Sequence, residues 1–295
     1  MNLKFLRRVG RLAGLAMVAA TIATSTAAAE FSYPDRWTEP FPPFRIIGNL
    51  YGVGGYDLQV FLLTSPDGHI LINTGVEGST ETIRENMAAL GFRLEDVRIL
   101  LSQQAHIDHT VALAEIKKIS GAKMFGTRAD TRLLEDGGRS DPHFGDRLAF
   151  PPVKVDRQLE DGDVIRIGGI ELTTHLHPGH TEGSSSYSTV ITENGRQYRV
   201  LIANMGTVNE GKKLFVDPTY SGAGRDFAET FRKQLALNPD IFVAPHAVHY
   251  GLHSKYQPGQ PYDPETFFDP VGYRQMVLDM ELKFLRLVVE EQLAR

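Results

Sequence analysis

Apolar and polar positions along this chain change period several times, and each change marks an element. The run "NLYGVGGYDLQVFLLTSPDGHILINTG" sets Val60, Leu62 and residues 69–72 in β-favouring surroundings. Ser65-Pro66-Asp67-Gly68 supplies a turn between them, so consecutive strands are predicted. Residues 79–90 switch to the helical period, with Ile83, Met87 and Leu90 on one face and Gly91 as the stop. "VRILLSQ" is apolar without alternation, as in a strand buried on both faces. A helix over 113–120 closed by Gly121 and a short strand at "AKMFG" follow. The second half predicts strands over 170–175, 187–192 and 198–203, a helix over 225–237, a strand over 241–244 and a long amphipathic helix from about 272 to 293. "FSYPDRWTEPFPPFR", rich in proline and aromatics, reads as an extended arm wrapping the body. Strands and helices alternate throughout, which predicts an α/β protein with sheets covered by helices. Without a short-period repeat or a low-complexity linker, residues 30–295 are expected to form one compact body.

Composition narrows the setting. The chain has 295 residues, 42% hydrophobic and 23% charged, values of an ordinary soluble protein with a sizeable core. Its first 29 residues differ. Lys4, Arg7, Arg8 and Arg11 precede an apolar run from Leu12 to about Ile22, and Ala27-Ala28-Ala29 end the segment. This pattern predicts a secretory signal peptide cleaved after Ala29, and the run is shorter than the roughly 20 residues a membrane span needs. Arg7-Arg8 is a twin-arginine pair, but the surrounding residues match that export signal poorly. Losing the four basic residues of the leader takes the formal net charge from −5 to −9, which disfavours nucleic acid as a partner. The chain has no cysteine, so thiolate chemistry, disulfides and cysteine-type zinc sites are excluded. Stability must come from the core and from bound metal.

The chemistry lies in the histidines. Ten are present, and most fall in three segments that each follow a predicted strand: "SQQAHIDHT", "HLHPGHTEGSSS" and "APHAVHYGLH". In an extended backbone residues two apart point the same way, so Gln104, His106 and Asp108 are expected to project to one locus and His109 to a neighbouring one. Imidazole and carboxylate suit Zn²⁺. The first cluster over-supplies one ion and under-supplies two; His180 and His246 would complete two adjacent sites, about 3.5–4 Å apart, able to share a bridging hydroxide. His175 and His177 are expected in structural roles, His143, His249 and His253 at the cleft, and His69 on the surface. "GSSS" at 183–186 lacks the Gly-x-Ser-x-Gly elbow and reads as a turn or helix start.

These motifs resemble the metallo-β-lactamase superfamily. "QAHIDH" resembles its HxHxDH signature, "ILINTG" its strand ending in Asp-Thr-Gly, "HPGHT" its third metal-binding segment and "APHAVH" its last. "EPFPPFRIIGNLYGVGG", "LLEDGGRSDPHFGD", "LIANMGTVN" and "HAVHYGLHSKY" are similar to subclass B3, and to its GOB-like branch, whose first motif also begins with Gln. The resemblance implies an αββα sandwich of two mixed sheets flanked by helices, with the metals at one rim. It implies a first zinc on Gln104, His106 and His180 and a second on Asp108, His109 and His246. The implied activity is β-lactam hydrolysis by a metal-bound hydroxide, with Asp108 orienting the nucleophile, in a periplasmic resistance enzyme acting on a small-molecule substrate as a monomer. Met205, Thr207 and Asn209 are candidate substrate contacts, and residues 54–58 an apolar wall. Two departures stand out. Met205 occupies the place where glyoxalase II and lactonases carry a metal-bridging Asp and subclass B3 usually carries Ser, and Asn73 replaces a buried Asp. A lactonase or thioesterase of the same fold, or a non-catalytic periplasmic zinc-binding protein, are the alternatives. Gln104 offers a neutral carbonyl oxygen, a weaker donor than imidazole, so the first site is expected to bind zinc less tightly than the second.

Overall fold

The computed structural model describes residues 32–216 and 220–294; the expected leader lies outside the described residues. Residues 33–295 form one compact unit. Seven strands make the first sheet, in the order β1 (Phe44–Ile47), β2 (Leu50–Gly52), β3 (Phe61–Leu63), β4 (His69–Ile72), β5 (Val97–Leu101), β6 (Lys123–Thr127) and β7 (Arg157–Leu159). Its first three pairings are antiparallel and its last three parallel. Five strands make the second sheet: β8 (Val164–Ile167), β9 (Ile170–Leu176), β10 (Ser185–Glu193), β11 (Arg196–Ile202) and β12 (Ile241–Val243), lying in the order β12-β11-β10-β9-β8. Only β11 and β12 pair parallel there.

Both sheets are mixed, and helices cover their outer faces. One core cluster joins Ile46, Ile72 and Leu101 of the first sheet to Leu172, Tyr187 and Ile202 of the second, together with Phe227, Phe231 and Phe284 of the last two long helices. The other joins Leu62, Leu71 and Leu100 to Ile83 and Met87 of helix Ser79–Ala89 and to Leu113 and Ile116 of helix Leu113–Ser120. β4 and β5 therefore meet apolar surroundings on both sides, which is why their sequences do not alternate; Arg98 is the exposed exception. The helix stops at Gly91 and Gly121 fall as expected, both with positive φ.

Some expectations need correction. The proline-rich arm contains a helical turn, Asp35–Thr38, and its end enters β1. β7 and β8 are too short and too polar to read from pattern, with only Leu159 and Ile165 fully buried. His69 is buried, not on the surface: it packs edge-on against Phe92, and its Nδ1 accepts from the Ser65 amide.

Candidate metal centre

The three histidine segments meet at one rim of the sandwich, around a cavity of about 720 Å³. Gln104, His106, Asp108, His109, His180 and His246 all line it, and so do Met205, Thr207 and Asn209. The segments converge because β5 delivers the first, β9 the second and β12 the third, each from a strand end. Gln103 ties the two sheets together there. Its Nε2 donates to the Ile202 carbonyl, and its own carbonyl accepts from the Ser185 amide and from Asn204 Nδ2.

The strict alternation expected for residues 104–109 does not hold. His106 is extended (φ −119°, ψ 159°), but residues Ile107–Thr110 form a helical turn, fastened by Thr110 Oγ1 donating to the His106 carbonyl at 2.8 Å. The turn groups Asp108 with His109, not with His106. Two donor sets result. His106 Nδ1 faces His180 Nε2 at 3.0 Å. Asp108 Oδ2 lies 3.4 Å from His109 Nε2 and 3.1 Å from His246 Nε2, and these three residues offer ligand atoms within 4.8 Å of one another.

Each imidazole is oriented through its other nitrogen. His109 Nδ1–H donates to Asn73 Oδ1 at 3.0 Å, His180 Nδ1–H to the Thr207 carbonyl at 2.7 Å, and His106 Nε2–H to Asp141 Oδ2 at 3.1 Å. Asp57 Oδ2 stands 3.7 Å from His246 Nδ1. The nitrogens left over on His106, His109 and His180 face the cavity, and as acceptors they offer it their lone pairs. Two such lone pairs facing each other at 3.0 Å, on His106 and His180, repel unless a cation or a proton lies between them. A tetrahedral Zn²⁺ with bonds of about 2.0–2.1 Å holds its nitrogens roughly 3.3 Å apart, so the pair fits a metal. Gln104 completes that set: its side chain is buried at the cavity wall and has no hydrogen-bond partner among the described residues.

Electrostatics sort the two sets. Burial pushes His180 down to about 3 and also lowers His109, which favours the neutral imidazole that a metal needs. Burial would raise Asp108, but His109 and His246 outweigh it and hold the carboxyl well below its usual range. Burial lowers His246, yet Asp108 and Asp57 overcome it and carry the imidazole up to about 9. A metal arriving at this set must displace that proton. Asp141 is held at about 2: burial opposes ionisation, but His106 and the amides of Phe144 and His143 prevail.

Asp57 and Asp141 escaped the sequence reading. Asp141 sits before Pro142, a turn signal, but nothing local says that it reaches His106. Asp57 falls within the expected apolar wall at 54–58, which is corrected accordingly: Tyr56 and Asp57 line the cavity, and Asp57 is charged. His249 and His253 line the cavity as expected; His143 does not, and its neighbour Phe144 does. His175 and His177 bond Ser188 and Ser186 away from the rim. The serines at 184–186 make structural bonds, Ser184 to Thr181 and Ser186 to His177 and the Asn204 amide.

Residues 54–192 match the metallo-beta-lactamase superfamily. Solved structures similar to the whole fold include a beta-lactamase from Chitinophaga pinensis, 43% identical with a TM-score of 0.86, the match covering 88% of this chain and 99% of that one. The metallo-beta-lactamase GOB-18 from Elizabethkingia meningoseptica is 42% identical, with a TM-score of 0.86 over 88% of this chain and 97% of that one. Among curated proteins, a probable metallo-hydrolase of Burkholderia pseudomallei is 30% identical over 169 residues, 55% of this chain and 54% of that protein. Others are hydroxyacylglutathione hydrolases at 26% to 34% identity. The chain spans about half the length of the curated relatives it matches.

Proposed function

Because the chain belongs to the metallo-β-lactamase superfamily and its likeness to solved structures is to class B3 enzymes over nearly their whole length, we propose that it is a zinc-dependent β-lactamase. The observation that carries this reading is the pair of donor sets at one cavity, Gln104-His106-His180 and Asp108-His109-His246, beside Met205 where the thioesterases of the fold bring a bridging carboxylate. The relatives named hydroxyacylglutathione hydrolases favour thioester hydrolysis as the second reading. Methionine cannot bridge two cations, which weighs against it.

Zinc bound at these sets would polarise the amide carbonyl and acidify water. The chain's own groups do the rest. Asp108 remains ionised, and its Oδ1, without a partner among the described residues, can accept a hydrogen bond from the attacking water and fix its direction. Arg36 is the one Lys or Arg in the cavity wall among the described residues. Its Nε is anchored on Asp57 at 2.9 Å, which leaves the rest of the guanidinium for the substrate carboxylate. Asn209, whose buried Nδ2 has no partner among the described residues, is a second donor to that carboxylate, and Met205 is an apolar contact. Arg36→Ala is expected to raise KM for a cephalosporin about tenfold with kcat little changed, the mark of lost uniform binding.

The basic, then apolar, then Ala-rich segment over 1–29 supports export to the periplasm, where such an enzyme would meet β-lactams. The deciding experiment compares hydrolysis of a carbapenem, a cephalosporin, S-lactoylglutathione and an acyl-homoserine lactone by the purified protein, with zinc and after chelation. Chelator-sensitive turnover of the β-lactams supports the reading. Turnover of the thioester or the lactone alone overturns it, and zinc binding with no turnover at all points to a non-catalytic metal protein.

A further inference from the structure

The last helix, Pro270–Leu293, buries Tyr273, Val277, Met280 and Phe284 against the body. Its opposite face is apolar as well. Val271, Leu278, Leu282, Leu285, Val289 and Leu293 are 37% to 83% exposed. At 100° per residue these six fall within about 80° of one another, a stripe roughly 33 Å long. From Leu278 to Val289 they are spaced four, three and four apart, the a/d seam of a heptad repeat. Single exposed leucines are ordinary on a monomer; an apolar seam unbroken from Leu278 to Val289, with Gln275 the polar position between Val271 and Leu278, has the pattern of an interface.

Charge says what covers it. The positions flanking the stripe are Arg274 and Glu281 on one side and Asp279 and Arg286 on the other. We propose that this face is an interface between two copies of the chain, their last helices lying parallel. In parallel register a residue on one flank meets the residue five further along the second copy. Arg274 then meets Asp279 of the second copy, and Glu281 meets Arg286 of the second copy. Both pairs are opposite in sign, and two-fold symmetry makes each twice. An antiparallel register keeps only the Asp279–Arg286 pairing. Among the described residues Arg274, Glu281 and Arg286 have no ion-pair partner in their own chain, and Asp279 accepts only from Gln275 Nε2 at 2.9 Å. The helix is already ordered on the body, so association does not carry the cost of folding it. A membrane surface fits less well, because these four charges balance and the whole chain carries −5, whereas lipid surfaces attract basic helices. The proposed interface is independent of what the cavity hydrolyses, and it departs from the monomer expected from sequence.

Sedimentation equilibrium of the purified protein over a concentration series tests it. A dimer is expected with Kd in the micromolar range, in keeping with a small, non-obligate interface. Leu282→Glu is expected to weaken it by about 100-fold or more while leaving the melting temperature nearly unchanged, since that side chain is half exposed. Arg286→Glu should weaken it about tenfold, and Glu281→Arg with Arg286→Glu should restore it, which an antiparallel pairing would not allow. Gln275→Cys, in a chain with no other cysteine, should cross-link two copies on oxidation, because parallel seams bring like positions together. A monomer up to about 200 μM overturns the proposal. So does a dimer indifferent to Leu282→Glu, or a monomer that instead co-sediments with vesicles of mixed neutral and anionic lipid.

Discussion

At the scale of single residues, the site is decided by which nitrogen or oxygen each side chain has free. Gln104 is the odd member. Its amide oxygen is neutral, and its company in the first set is the imidazoles of His106 and His180, whereas the second set holds an ionised carboxylate. Dialysed wild type is expected to hold close to one zinc per chain and Gln104→His close to two, with first-site affinity raised on the order of tenfold or more. Metal counting by plasma emission checks this, and equal zinc in both proteins refutes a weak first site. His246 gives a pH dependence. Its imidazole is protonated in the metal-free protein up to about 9, and zinc must displace that proton. Apparent affinity of the second set should therefore climb with pH through the neutral range, by up to about tenfold per unit, and level off near 9. Competition against a chromophoric chelator from pH 6 to 10 measures the slope. A flat profile would mean that Asp57 and Asp108 do not hold that proton.

Elements matter because the candidate ligands sit on loops that must be held to one another. Asp130, deeply buried just after β6, does this. Its Oδ2 accepts from the Ala105 amide and from Thr181 Oγ1, and its Oδ1 accepts from the Gly183 amide, so one carboxylate ties the first histidine segment to the second. Gly183 is required at this contact: a Cβ there would stand 2.2 Å from Thr127 Oγ1 and 2.5 Å from the Asp130 nitrogen. Asp130→Asn turns one acceptor oxygen into a donor facing donors, and should cost about 2 kcal/mol in urea unfolding and loosen zinc at the first site. The pH dependence has a definite sign. Burial carries the Asp130 carboxyl up to about 6, against the pull of its hydrogen bonds. Its folded pKa lies above its unfolded one, so its contribution is fully present below about 4 and declines as pH rises through 6. The stability difference between wild type and Asp130→Asn should shrink over that interval; a difference that grows would refute the assignment.

For the whole molecule, the absence of cysteine leaves the core, with any metal the donor sets take up, to hold the rim together. The two core clusters on either side of the first sheet are complete without metal, so the chelated protein is expected to remain folded. The donor sets, with one buried proton and one pair of opposed lone pairs, are the strained part. Saturating zinc should raise the melting temperature by about 5–10 °C over the chelated protein, as a ligand at 100-fold or more above its Kd adds about 3 kcal/mol or more. Calorimetry with and without chelator measures it, and no shift would mean that the six residues do not form metal sites.

The sequence by itself determined a good deal. Periodicity located the strands and helices that carry the core, because burial on one face or both imposes a repeat that survives in one dimension. Density of histidine after apolar strands located the three segments that meet at the cavity, and the motif order identified the superfamily. Local pattern failed where partners are remote. The helical turn at Ile107–Thr110 regroups Asp108 with His109, and two-residue alternation could not foresee it. Asp57, Asp130 and Asp141 look like any loop aspartate until the fold brings them to His246, the Ala105 amide and His106. The tertiary structure alone decided which nitrogen of each imidazole is tethered and which is free. That choice depends on an acceptor 27 to 36 residues away for His180, His106 and His109, a separation that no short-range pattern encodes.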